Sequence, residues 1–327
     1  MNRRKMLRGL LGVGGLMDVA HASRNAERIE VGGSTLDVFI DSDQFEFGRT
    51  ALLDWVTRCA NAVTAYFGRF PVAHARVYIS VSENGRVSNG VSYGDGGAHC
   101  RISVGRHATL KDLYNDWELT HEMVHFSFPS VADHHHWIEE GIATYVEPIA
   151  RIRAGHLTAE HMWLELVRDM PQGLPEAGDR GLDHTHTWGR TYWGGALFCL
   201  LGDVEIRSQT NNTKGLQHAL RGILDAGGDI REDWILVDAL RVGDRAVGVS
   251  VLQPLYARMK DRPVGVDLDA LWAKLGVQLD GAVVRFDNSA VLADIRQAIT
   301  AGESAIAEQS SPSEHLAVFA GRAVGSP

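Results

Sequence analysis

His121 and His125 stand four residues apart in Thr120-His121-Glu122-Met123-Val124-His125, with a glutamate directly after the first. On an α-helix, residues four apart lie one turn above each other, about 6 Å along the axis. Both imidazoles can therefore aim at one metal ion. Glu122 is rotated about 100° from His121, so it leans beside the ion and not onto it. A carboxylate placed there can take a proton from a water molecule as it attacks a carbonyl, then pass it to the leaving amine.

Two imidazoles are an incomplete set, because a catalytic zinc ion usually takes three protein ligands and keeps one position open. A third histidine six residues after His125 is excluded, since Val131 stands there and Phe128 occupies the place of the accompanying glycine. The next helix offers two carboxylates instead, Glu139 and Glu140, within Trp137-Ile138-Glu139-Glu140-Gly141-Ile142-Ala143-Thr144-Tyr145-Val146-Glu147.

This second segment resembles the Trp-x-x-Glu-Gly-x-Ala-x-Tyr-x-Glu stretch of gluzincin metallopeptidases, the alanyl and glycyl aminopeptidases among them. The resemblance implies a thermolysin-like zincin catalytic core with Zn2+ as cofactor and a peptide or protein as substrate. It also implies that Glu140 completes the ligand set with His121 and His125. The two segments occur in the right order and a short loop apart, whereas His-Glu-x-x-His alone arises by chance in unrelated chains.

A tetrahedral intermediate carries an oxyanion, and a donor such as a tyrosine hydroxyl or a histidine is expected opposite the metal. Thr191-Tyr192-Trp193-Gly194-Gly195-Ala196-Leu197-Phe198 is similar to the Tyr-x-x-Gly segment that opens a downstream helix in the same aminopeptidases, and the resemblance implies that role for Tyr192. Leu201 to Thr210 is similar to the glycyl aminopeptidases at the corresponding place. His184 and His186, just upstream, are weaker candidates for lining the cleft. His134, His135 and His136 are expected to be solvated loop residues and not ligands. Glu147 lies seven residues after Glu140, on the same helix face, and is a candidate to accept a hydrogen bond from a ligand histidine or a substrate amine.

The resemblance covers roughly residues 93–225. No Gly-x-Met-Glu-Asn segment precedes the metal helix, and Gly96-Gly97-Ala98-His99-Cys100 stands in its place. No counterpart of the N-terminal β-domain or the C-terminal PDZ module of glycyl aminopeptidases is expected within these residues. Endopeptidase and aminopeptidase action are left undecided. A rival reading is a zinc-bearing, peptide-binding protein without turnover, and Glu122 argues against it, because binding alone needs no base.

The elements that must position these residues suggest an α+β chain. Residues 35–40, 76–81 and 99–104 read as strands and 47–67 as a long amphipathic helix. Residues 82–97, rich in Gly, Ser and Asn, read as a loop. Thr109-Leu110-Lys111-Asp112 resembles a capping box that starts the metal helix, which Pro129 ends, with Leu113, Trp117 and Val124 as its buried stripe. Helices follow over 137–154, 158–170, 190–208, 213–226, 231–240, 249–260 and 267–275. The organisation expected is a signal peptide over 1–22, a strand-plus-helix lobe over 23–130, a helical lobe over 131–300 and a disordered tail over 301–327.

The 327 residues can bury a sizeable core, and 45% hydrophobic with 22% charged content is ordinary for a globular protein. A formal net charge of −9 gives no sign of a nucleic-acid partner. Residues 2–8 are basic, residues 9–17 are apolar and Gly-rich, and Ala20-His21-Ala22 offers a cleavage site. The Arg3-Arg4 pair resembles a twin-arginine signal, implying export to a periplasmic or secreted location. The apolar run is too short to span a bilayer. Cys59, Cys100 and Cys199 are an odd, widely spaced set, expected to be buried thiols with one disulfide possible.

Overall fold

In a computed structural model, residues 26–42 and 45–301 are described. The signal segment and the tail beyond residue 301 lie outside the described residues. Five strands form one sheet in the order β1-β2-β3-β5-β4, comprising Glu27–Val31, Ser34–Ile40, His74–Ser82, Val87–Tyr93 and His99–Gly105 for β1 to β5. β2, β3 and β5 run parallel, while β1 and β4 pair antiparallel at the two edges. The 20-residue helix α1 (Gly48–Phe67) sits between β2 and β3, as a parallel crossover requires. It buries Leu52, Trp55, Val56, Cys59, Val63 and Phe67, which are the apolar residues that the helical period selects.

β4 corrects the expected loop over 82–97. Its Ser, Asn and Gly residues have weak strand propensity, and pairing with β5 decides the outcome. The strand carries an irregularity between Ser88 and Val91, with Asn89 at φ 59°.

The metal helix is also interrupted. The predicted capping box is present: the Thr109 hydroxyl accepts from Asp112 N–H, and the Asp112 carboxylate accepts from Thr109 N–H. It starts only the short helix α2 (Leu110–Asn115). Asp116 then caps a fresh helix, α3 (Glu118–Val124), accepting from the N–H groups of Glu118 and Leu119 at 3.0 and 3.1 Å. The break turns Trp117 outward to 50% exposure, so it does not belong to the buried stripe, whereas Leu113 and Val124 do. A 3-10 turn over His125–Ser127 follows, and Phe128 is extended ahead of Pro129.

The remainder is mostly helical: α4 (His136–Arg153), α5 (Ala159–Asp169), α6 (Gly195–Gln209), α7 (Leu216–Asp225), α8 (Leu236–Val247), α9 (Leu252–Met259), α10 (Leu268–Leu275) and α11 (Ala293–Thr300). The helix expected over 231–240 starts later because the preceding segment is extended, bridging Asp233 to Ser130. A hairpin of β6 (Val277–Asp280) and β7 (Val283–Phe286) interrupts the helical series. All three cysteines are free and buried. No helix among the described residues is long and apolar enough to cross a membrane.

The crossing of α4 and α6 sets the site. A Cβ built on Gly141 would lie 2.3 Å from the Gly195 backbone, and one on Gly195 would lie 2.1 Å from the Trp137 carbonyl. Only two glycines let the helix axes come this close. Glu140 precedes one glycine, and Tyr192 lies three residues before the other, on a π-helical turn over Arg190–Gly194. Asp203 and Arg207 of α6 form a buried pair at 2.8 Å, and Asp203 also accepts from Tyr145 of α4 and from Leu216 N–H of α7. That network locks the three helices together, and it gives Arg207 a structural role.

Candidate metal centre

His121, His125 and Glu140 each bring one ligand atom to within 4.8 Å of the others, and all three are buried. His121 Nε2 lies 3.2 Å and His125 Nε2 3.6 Å from the same oxygen, Glu140 Oε2. Two imidazoles and a carboxylate converging on one point form a donor set suited to a catalytic zinc ion. The alternative carboxylate, Glu139, turns away: it accepts from Val131 N–H at 3.4 Å and from His136.

His136 departs from the expected solvated loop. Its Nδ1 lies 2.7 Å from Glu139 Oε2 and its Nε2 3.0 Å from Glu140 Oε1. Burial alone lowers the affinity of an imidazole for a proton. The hydrogen bonds to both glutamates outweigh it and push the His136 pKa up to about 9. As an imidazolium, His136 donates from both nitrogens and occupies the Glu140 oxygen that faces away from His121 and His125. Burial would raise the pKa of Glu140, but His125, His121 and His136 together hold it well below the usual carboxylate range.

Glu122 lies beside the ligand set, and β4 holds it. The Ser92 hydroxyl is 2.7 Å from Glu122 Oε2 and 2.8 Å from the Glu122 carbonyl, so one proton serves both acceptors. A Cβ on Gly90 would lie 2.8 Å from Glu122 Cγ, so the strand leaves the side chain room only because residue 90 has none. Gly90 N–H in turn donates to Glu118 at 3.3 Å.

Tyr192 stacks on His121 with ring centres 6.3 Å apart, and on Trp188 at 5.5 Å. Burial first, then the negative charges of Glu140 and Glu122, hold its phenol well above the usual range. Tyr192 therefore keeps its hydroxyl proton at ordinary pH and is able to donate it in a hydrogen bond. Trp188 is 60% exposed, and Trp117, 50% exposed, makes a T-shaped contact with the His121 ring.

Glu147 is placed elsewhere. Its carboxylate pairs with Arg151 at 2.9 Å on the same helix and has no hydrogen bond from a ligand histidine. Burial pushes its pKa up to about 8, with Arg151 opposing and Glu165 and Asp116 adding to the rise. His184 bonds to Asp261 at 3.0 Å on the surface. Ser92, Gly90 and His136 are the site residues that sequence reasoning missed. The spacing of His136 four residues before Glu140 was the one available signal.

No protein-family model matches the chain, and no curated relative does. Solved structures do. A crystal structure of an aminopeptidase N family protein from Idiomarina loihiensis is similar at 13% identity and TM-score 0.57, covering 78% of this chain and 49% of that one. A variant of the M1 zinc metallopeptidase from Deinococcus radiodurans is similar at 15% identity and TM-score 0.50, covering 74% and 52%. The chain thus spans about half the length of the structures it matches. At these identities the likeness establishes the shared fold.

Proposed function

We propose that the protein is a zinc-dependent hydrolase of peptide bonds. The observation that carries this reading is the convergence of His121, His125 and Glu140 on one point, with Glu122 and Tyr192 at its rim. The donor set and its burial fit zinc, and the fold shared with the M1 zinc metallopeptidase structure from Deinococcus radiodurans supports the same choice. A zinc ion held there supplies Lewis acidity, polarising a carbonyl and making water acidic enough to lose a proton near neutral pH.

The chain's own residues do the rest. Glu122 accepts the proton of the attacking water and passes it to the amide nitrogen as the C–N bond breaks. Ser92 fixes the direction of that carboxylate, so no reorientation precedes proton transfer. Tyr192 donates to the carbonyl oxygen as it becomes an oxyanion, a contact that strengthens only when the carbon turns tetrahedral. β4 is the last strand of the sheet and pairs with β5 alone among the described strands. An extended peptide can add to its other edge and pass its carbonyl beneath Tyr192. The basic, apolar N-terminal segment is proposed to direct export, which a reporter fusion of residues 1–30 tests.

The decisive variant is Glu122→Gln. It is expected to stay folded and to retain zinc while losing nearly all hydrolysis, because an amide cannot accept the water's proton. Full hydrolysis by zinc-loaded Glu122→Gln protein overturns the reading.

A further inference from the structure

The turn before α4 gathers a second group of metal-competent side chains, which the hydrolytic reading does not use. His134, His135 and Asp183 each bring one donor atom to within 4.8 Å of the others. His135 Nδ1 lies 2.9 Å from Asp183 Oδ1, and the His134 and His135 rings are 3.8 Å apart. This contact between an imidazole nitrogen and a buried carboxylate oxygen is the same kind that His121 makes with Glu140 at the first centre.

Asp183 is rigidly placed. Its Oδ1 also accepts from Trp137 Nε1 at 2.8 Å, its Oδ2 from the Tyr256 hydroxyl at 2.7 Å, and its N–H donates to the Lys260 carbonyl at 3.0 Å. One carboxylate with three donors around it has one lone pair left. Anchoring Trp137 accounts for Asp183 and for His135, but it gives no account of His134, which makes no bond to Asp183 and is exposed to solvent.

We propose that His134, His135 and Asp183 hold a second divalent transition-metal ion of the zinc, cobalt or nickel class. Two imidazoles and one carboxylate favour such ions over calcium or magnesium, which take all-oxygen sets. The ion takes the position between His135 Nδ1 and Asp183 Oδ1, and the neutral His135 ring bound through Nδ1 carries its proton on Nε2. Water fills the remaining positions. Occupancy ties the start of α4, which carries Glu140, to the loop that runs on through Trp188 to Tyr192.

The test counts cobalt bound per chain by elemental analysis after dialysis against micromolar Co2+, alongside the visible absorption of the bound ion. Wild-type protein is expected to hold two ions and a His121→Ala/His125→Ala variant one. That residual ion makes failure of this inference distinguishable from failure of the hydrolytic reading. His134→Ala removes an exposed side chain, so the fold is preserved. It should weaken the second ion at least about tenfold and leave the first in place. Asp183→Asn keeps the volume and should do the same, with a melting curve as the check on folding. No ion retained by the His121→Ala/His125→Ala variant, or a second ion untouched by both His134→Ala and Asp183→Asn, overturns the proposal.

Discussion

The Ser92 hydroxyl lies 2.7 Å from Glu122 Oε2, so the edge strand β4 holds the carboxylate proposed as the base. Strand and helix are 30 residues apart in sequence for this pair, and the contact exists only because β4 packs against α3. Ser92→Ala should leave zinc content and melting temperature near wild type. It should lower kcat by up to about 10²-fold, since a misaimed catalytic group costs that much. Gly90→Ala, which pushes on the same carboxylate, should act in the same direction. Steady-state kinetics on the two variants check this, and wild-type kcat in both would remove β4 from the mechanism.

Glu140→Ala should retain zinc far more weakly than wild type, while Glu139→Ala should retain it. The distinction rests on Glu140 Oε2 facing both histidines while Glu139 accepts from Val131 and His136. Competition with a chromogenic chelator reads the two dissociation constants. The opposite ranking contradicts the ligand assignment.

Tyr192→Phe deletes one hydroxyl and keeps the stacking on His121 and Trp188. A donor to the oxyanion alone is used in the transition state, so kcat should fall about 10²–10³-fold, roughly 3–4 kcal/mol, with KM little changed. A merely structural tyrosine predicts normal turnover and a small loss of stability.

Buried carboxylates set a pH dependence of stability. Burial raises Asp116 to about 6 and Glu147 to about 8, above the roughly 4 of an unfolded chain. The folded state therefore keeps protons that the unfolded state has lost. The stability these groups contribute is complete below about pH 4 and is lost as pH rises through 6 and then 8. Glu147→Gln cannot ionise, so its melting temperature should fall less than that of wild type between pH 5 and 8.5. Parallel curves for the two proteins would show that Glu147 keeps an ordinary pKa.

The legible parts of the site were those fixed by local helical spacing. His121, Glu122 and His125 follow from one turn of helix, and Glu140 stood next to the glycine that lets α4 meet α6. The long helix α1 was legible for the same reason, since its apolar period of 3.6 is written along one segment. β4 was not legible, because Ser, Asn and Gly residues form a strand there only through pairing with β5. Trp117 was misplaced because Asp116 caps a new helix, which rotates the face that the uninterrupted period assigns. His136 was hidden among three adjacent histidines whose surroundings are decided by distant chain.

The central claim is hydrolysis of peptide bonds at the His121, His125 and Glu140 centre. Its most direct measurement is mass spectrometry of a mixed peptide library incubated with zinc-loaded protein, with chelated protein and with zinc-loaded Glu122→Gln. The account predicts new termini in the first incubation, none in the other two, and recovery when zinc is returned to the chelated sample. An uncleaved library with fully zinc-loaded wild-type protein, or equal cleavage in all three incubations, contradicts it.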